Sequence, residues 1–218
     1  MPRAVLFDLD GTLVDRDAAS ERWFRGLLQR RPDLFPDRPQ ALRRFLELDL
    51  RGYGDRGRFC HEVVDEFPGI ATSPAHFWHD FTLGLAASVV AEPQVLAMLE
   101  AIASRKAVAI LTNGSTRNQR AKLSAAGLSH VRAFVSEEMG FEKPDPQAFA
   151  FALEALSVQA DGCLFVGDDP DRDVAGAEAA GLATCWVSHG RAWPRGDLRP
   201  DRVVSRVEEI AALEELRG

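Results

Sequence analysis

The chain has no long apolar run, no excess of positive charge and no pairing pattern among its few cysteines, and each shortage removes a class of protein. Its longest apolar patch, LGLAASVVA at 83–91, is far below the ~20 residues that a membrane-crossing helix needs. Lys and Arg number 26 against 33 Asp and Glu, for a formal net charge of -7. No extended surface for nucleic acid or anionic membrane is therefore expected, because both demand a net basic face. The cysteines, Cys60, Cys163 and Cys185, are odd in number, scattered and in no metal-ligand spacing, which suits a reducing cytosol. The N-terminal run AVLF is too short for the apolar region of a signal peptide and leads into acidic residues. A cytoplasmic protein is the expectation. What is present is 218 residues, 46% hydrophobic and 27% charged, enough for one large domain or for a domain carrying a smaller one.

Short apolar or β-branched runs recur at AVLFDL (4–9), AVAIL (107–111), AFV (133–135), CLFVG (163–167), ATCWV (183–187) and RVV (202–204), mostly separated by helix-like stretches. That alternation predicts an α/β fold, a parallel sheet wrapped by helices. The interval 16–90 differs in character. It holds no convincing strand but carries helix-spaced apolar positions such as Trp23, Leu27 with Leu28, and Leu42, Phe45, Leu46. It reads as an inserted helical domain, with residues 1–15 and 91–218 forming the core. Its exits fall just after Val14 and around Glu92–Pro93, where proline interrupts a helix. Within it, RGYGDRGRF (51–59) combines three glycines with arginines and an aromatic, and is expected to be a loop between helices.

The first run ends in two carboxylates, Asp8 and Asp10, followed by Gly11 and Thr12. Residues two apart on an extended segment project to one side, so these carboxylates are expected to converge near the carboxyl end of the strand, where open α/β sheets bind ligands. Two like charges held close need a cation between them or a shared proton, and hard divalent cations such as Mg²⁺ prefer oxygen ligands. A pair of solvated turn residues is the plainer reading. Yet D-x-D-G-T arises by chance in only about one chain of this length in a thousand at average residue usage.

Other strand ends add to the case. ILTNG brings Thr112, Asn113 and Gly114, a hydroxyl followed by backbone amides able to hold phosphate oxygens; a helix cap is the alternative. GFEKPDP (140–146) places Lys143 in a segment stiffened by two prolines. FVGDDPDRDVAGAEAAG (165–181) sets Asp168 at a strand end and Asp173 at the opening of a helix. Asp169 fits an N-cap with Pro170 at the first helical position, and Asp171 shares that structural role.

Taken in order and spacing, DLDGTLVD, LTNG, KPDP and GDDPDRD closely resemble the haloacid dehalogenase-like (HAD) hydrolases, and GAEAAGLATCWVSHG (176–190) is similar to the family's usual continuation. The resemblance implies a Rossmann-like core with the first strand central and a helical C1-type cap at 16–90. It implies that Asp8 is the nucleophile, forming an aspartyl-phosphate, and that Asp10 is general acid and base. It further implies that Thr112 and Lys143 bind the phosphoryl group, and that Asp168, with Asp8 and the Asp10 backbone carbonyl, holds Mg²⁺. Asp173 is implied as a supporting carboxylate. Dehalogenases of the superfamily, as the resemblance is usually described, lack Asp at the second acidic position and use no metal. With Asp10, Asp168 and Asp173 all present, a phosphatase is expected.

The resemblance is strongest to the branch containing pyrimidine 5′-nucleotidases and N-acylneuraminate-9-phosphatase. A small phosphate ester is therefore the expected partner, a nucleoside monophosphate or sugar phosphate ahead of phosphoglycolate, with no nucleic acid polymer and no membrane. Arg51, Tyr53, Arg56 and Arg58 are candidates for reading the leaving group. Trp23, Phe59 and Trp78 sit at helical positions that favour core packing over base stacking. A phosphomutase, or a catalytically silent scaffold serving as an interaction protein, stays open. A phosphate-receiving signalling domain is shorter and has no inserted helical domain.

Overall fold

The apolar runs become strands β1 (Ala4–Phe7), β2 (Ala107–Thr112), β3 (Arg132–Val135), β4 (Cys163–Gly167), β5 (Ala183–Val187) and β6 (Arg202–Val204) in a computed structural model that describes residues 1–213 and 216. All neighbours pair in parallel, in the order β3-β2-β1-β4-β5-β6. Helices α1 (Arg16–Arg30), α2 (Arg38–Asp49), α3 (Arg56–Glu66) and α4 (Pro74–Ala87) follow β1. Helix α5 (Pro93–Ala103) leads into β2 and α6 (Thr116–Ala125) into β3. Helices α7 (Ser136–Met139) and α8 (Pro146–Leu156) precede β4, and α9 (Gly176–Ala179) precedes β5. The chain divides into two compact units, one of Met1–Val14 with Ala91–Gly218 and the other of Asp15–Val90. No helix among the described residues is long and apolar enough to cross a membrane.

In the sheet unit, β1 is buried on both faces, all four of its residues being inaccessible; a strand so placed reads as a continuous apolar run rather than an alternating one. On one face Leu6, Leu111 and Phe165 pack against Ala148, Phe149 and Ala152 of α8. The Phe149 and Phe165 rings meet edge to face at 5.3 Å, an arrangement that adds roughly 0.5–1.5 kcal/mol to the area they bury.

Cys163 lies in this layer, fully buried. Burial pushes its thiol up to about 12, a Leu6 backbone hydrogen bond opposing only part of the rise. Since the thiolate is the reactive form, Cys163 should stay unmodified by a thiol reagent at pH 8 in the folded protein and react once the chain is unfolded. The sign for stability follows: the unfolded thiol ionises near pH ~8.5 and the folded one does not. The contribution of Cys163 is thus intact below that pH and is lost as pH rises toward 12. Mass spectrometry of the labelled cysteine across a denaturant series checks both statements.

The helical unit is built around aromatic rings. Phe24 and Phe45 stack at 4.1 Å with planes 3° apart, and Trp23 meets Phe81 edge to face at 5.0 Å. Gly84 of α4 makes this possible, because a Cβ there would fall within the Trp23 indole. Trp23 and Phe59 are buried in this core and Trp78 is half-buried. One expectation needs correcting: residues 56–59 are not loop but the first turn of α3. Asp55 caps that helix by accepting from the Arg58 N–H at 2.7 Å, and burial of Phe59 and Cys60 outweighs the poor helix propensity of Gly57.

Candidate active site

The order of strands reverses between β1 and β4, whose carboxyl ends lie side by side. That is the switch point where an open α/β sheet forms a crevice, and the residues that follow the strands there are Asp8, Asp168 and, beyond β2, Asn113. Strand pairing continues one residue past β1, with the Asp8 N–H donating to Val166 O at 2.9 Å. The chain then turns sharply: the Leu9 carbonyl accepts from the N–H groups of Thr12, Leu13 and Val14 at 3.3, 3.0 and 2.9 Å. Gly11 takes φ +85°, and a Cβ there would sit 2.6 Å from an Asp168 carboxylate oxygen. Only glycine suits both the conformation and the approach.

Lys143 is the centre of the cluster. Its ammonium donates to Asp8 Oδ1 and to Asp173 Oδ1, both at 2.6 Å, and all three residues are buried. Its main chain is fixed from β2's end, where the Asn113 side chain accepts from the Lys143 N–H at 2.9 Å and donates to its carbonyl at 2.7 Å. Asp173 is fully used: Oδ1 takes Lys143, and Oδ2 accepts from the N–H groups of Asp168 and Asp169 at 3.0 Å each. Asp168 is anchored through its carbonyl, which accepts from Trp186 Nε1 at 3.0 Å and Arg191 Nη2 at 2.9 Å. Asp169 caps the following π-type turn, Pro170–Ala175, accepting from the N–H groups of Asp171 and Arg172. Asp171 is exposed and pairs with Arg195.

Charge does not balance in this cluster, where three carboxylates face the Lys143 ammonium and, 3.4 Å from Asp168 Oδ2, the Arg191 guanidinium. Burial pushes the Asp8 carboxyl well above the usual range; the charges of Asp173 and Asp168 push it further, and Lys143 only partly offsets them. Burial alone would lower Lys143, yet the carboxylates of Asp173 and Asp8 hold its ammonium above the ordinary lysine value. Carboxylate oxygens of Asp8, Asp168 and Asp173 lie within 4.8 Å of one another. A buried, all-oxygen donor set with excess negative charge fits a hard divalent cation. Gly11, which places no Cβ against the Asp168 carboxylate, fits it too.

Asp10 lies in a second ion pair. Its Oδ2 accepts from Lys122 Nζ at 2.6 Å and from Gln119 Nε2 at 3.0 Å, and Gln119 Nε2 also donates to Thr112 Oγ1 at 2.6 Å. Thr112 is buried. Of the LTNG segment, the Gly114 N–H donates to Ser136 Oγ at 2.9 Å, and both polar ends of the Asn113 side chain are on Lys143. The Gly114 N–H thus already has a partner, because β3 runs into α7 beside it and brings Ser136 to the same spot. Lys122, Gln119 and Arg191 were not singled out from sequence. The available signal was Leu123, buried on α6: Gln119, four residues before it, shares its face.

The candidate leaving-group readers lie in the helical unit. Arg51 pairs with Asp17 at 2.8 Å and Arg58 with Glu62 at 2.7 Å. Arg56 lies over the Trp78 ring at 4.9 Å, and the Tyr53 N–H donates to Leu50 O at 3.1 Å. A cavity of about 510 Å³ within this unit is lined by residues of α1 and α4, including Arg22, Arg30 and Asp80.

Together these features define an α/β core organised around a buried carboxylate–lysine centre. The family described as haloacid dehalogenase-like hydrolase matches residues 2–181, and the chain belongs to it. The phosphoserine phosphatase of Thermus thermophilus is 41% identical over 112 residues, 50% of this chain and 45% of that one, so the chain spans about half the length of this relative. The N-acylneuraminate-9-phosphatase of Rattus norvegicus is 29% identical over 97% of this chain and 93% of its own. Among solved structures, the magnesium-bound HAD hydrolase YfnB of Bacillus subtilis superposes with a TM-score of 0.76 over 97% of both chains, at 23% identity, which speaks to the fold.

Proposed function

We propose that this chain is a Mg²⁺-dependent phosphomonoesterase acting on a small phosphorylated metabolite through an aspartyl-phosphate on Asp8. The observation that carries the reading is the Lys143 ammonium held at 2.6 Å from both Asp8 and Asp173, beside Asp168, at the sheet's switch point. In this reading Asp8 attacks phosphorus in line and Lys143 offsets the repulsion between two anions as they approach. The Thr112 hydroxyl orients a phosphoryl oxygen. Asp10 gives a proton to the leaving alkoxide and then takes one from the water that opens the acyl phosphate, a role that typically contributes about 10²–10⁴-fold.

Asp8, Asp168 and the Asp10 carbonyl are the groups that would hold the metal. When bound there, it would supply charge neutralisation at the phosphoryl oxygens. Asp173, with every oxygen already engaged, supports Lys143 and the Asp168 backbone. Residues 16–90 serve as the cap, which selects the leaving group. Relatives named for N-acylneuraminate 9-phosphate and phosphoserine support a phosphate-ester substrate, and a nucleoside monophosphate or sugar phosphate ranks first.

The test is inorganic phosphate release from nucleotides, sugar phosphates and phosphoglycolate, with Mg²⁺ and with EDTA. Metal-dependent turnover that EDTA abolishes is expected. Saturating Mg²⁺ should also raise the melting temperature, since a ligand at a hundred times its dissociation constant adds about 2.7 kcal/mol. Turnover insensitive to EDTA, with no thermal shift on adding Mg²⁺, refutes the metal-dependent reading.

A further inference from the structure

Helix α6 turns an unusual face inward. Gln119 is 2% exposed and Lys122 7%, positions where a helix packed on a sheet ordinarily carries apolar side chains. A buried ammonium and carboxylate are a weak source of stability, because desolvation consumes most of their attraction. What the pair does provide is geometry. Both donors aim at one oxygen, Asp10 Oδ2, at 2.6 and 3.0 Å, and the second hydrogen of the Gln119 amide reaches Thr112 Oγ1 at 2.6 Å. Held from two directions, the carboxylate cannot rotate about its Cβ–Cγ bond without losing both bonds. The Thr112 oxygen, as acceptor from Gln119, turns its own hydroxyl proton elsewhere.

We infer that Lys122 and Gln119 are positioning residues: they fix the Asp10 carboxylate for proton transfer to the leaving group and lock it in register with the Thr112 hydroxyl. This rests on the proposed role of Asp10 as general acid, and it adds to that role two residues outside the four sequence motifs. Neither touches the reacting atoms; both act through Asp10. A misplaced general acid matters only where the departing oxygen needs a proton, so the inference has a signature that general loosening of the fold lacks.

The experiment measures kcat/KM, which reports the steps up to phosphoryl transfer, for Lys122→Met, Gln119→Leu and Asp10→Asn. The substrates are phosphate esters whose leaving groups run from acidic phenols to simple alcohols. For Asp10→Asn the loss should be about 10²-fold or more on alkyl esters and slight on the most acidic aryl ester. Lys122→Met and Gln119→Leu should show the same dependence at about tenfold, with Lys122→Arg recovering part of the loss. Gln119→Leu carries the test alone if Lys122→Met does not fold. Losses equal across the series in the α6 variants, beside a leaving-group-dependent loss in Asp10→Asn, overturn the inference and leave the proposed function standing. An equal loss across the series in Asp10→Asn itself removes the general acid and the inference with it.

Discussion

Replacing Asp8 by Asn should abolish phosphate release, by at least about 10⁴-fold in kcat, in a protein that melts no lower than the parent. The first half follows from chemistry, since an amide has no anionic oxygen to attack phosphorus. The second follows from the electrostatics of the site. Asp8 is buried among like charges and its carboxyl is held well above the usual range, so in the metal-free protein its ionisation opposes folding. The opposition is absent below the unfolded carboxylate range and sets in as pH rises through it toward the higher folded value. Near neutral pH Asn removes that cost, while Lys143 keeps Asp173 at 2.6 Å. Melting in EDTA at pH 5 and pH 8 reads the effect: the advantage of Asp8→Asn over the parent should be larger at pH 8. A substituted protein that melts well below the parent at pH 8 makes Asp8 a structural residue, and its loss of activity then carries no mechanistic weight.

The strands were legible because a parallel strand covered on both faces cannot alternate polar and apolar residues, and AVLF and CLFVG announce themselves as continuous runs. Asp8 and Asp168 were legible for the opposite reason: a carboxylate directly after such a run breaks the pattern where the fold exposes a crevice. Lys143 stood out less from its neighbours than from the ordered set of motifs around it. Residue type gives no hint that Lys122 and Gln119 turn inward, because lysine and glutamine are mostly solvated; their burial comes from where α6 sets them, against Thr112 at the end of β2 and Asp10 in the turn after β1. The start of α3 was hidden by its composition. RGYGDRGRF is loop-like residue by residue, and only the Asp55 cap together with the packing of Phe59 makes its second half helical. The partners of Arg51 and Arg58 were likewise invisible, because Asp17 and Glu62 reach them only once the helices form.

Lys143→Met should cost the most in stability, about 3–5 kcal/mol in metal-free protein, together with loss of turnover. Its ammonium is shared between Asp8 and Asp173 at 2.6 Å each. Methionine fills nearly the same volume over the Phe165 ring, which lies 5.1 Å from the ammonium, so packing changes little and the loss is electrostatic. For a chain of this length that is a fall of about 6–20 °C. The size should depend on pH in a defined direction. As pH falls, the carboxyl of Asp8, already held above its usual range by burial and its neighbours, takes a proton; the uncompensated charge shrinks and the deficit with it. The deficit should thus be smallest at pH 5 and grow toward pH 8. Mg²⁺ gives the complementary test. With the ammonium gone, the cluster carries a larger negative excess, so the melting temperature should rise more on adding Mg²⁺ in Lys143→Met than in the parent. Turnover should not return with it, since a cation held by Asp8 and Asp168 would not replace the hydrogen bonds that Lys143 donates to Asp8 and Asp173. A deficit that is constant from pH 5 to pH 8 and indifferent to Mg²⁺ would mean that the substitution acts through packing and that the buried charge imbalance is not what Lys143 answers.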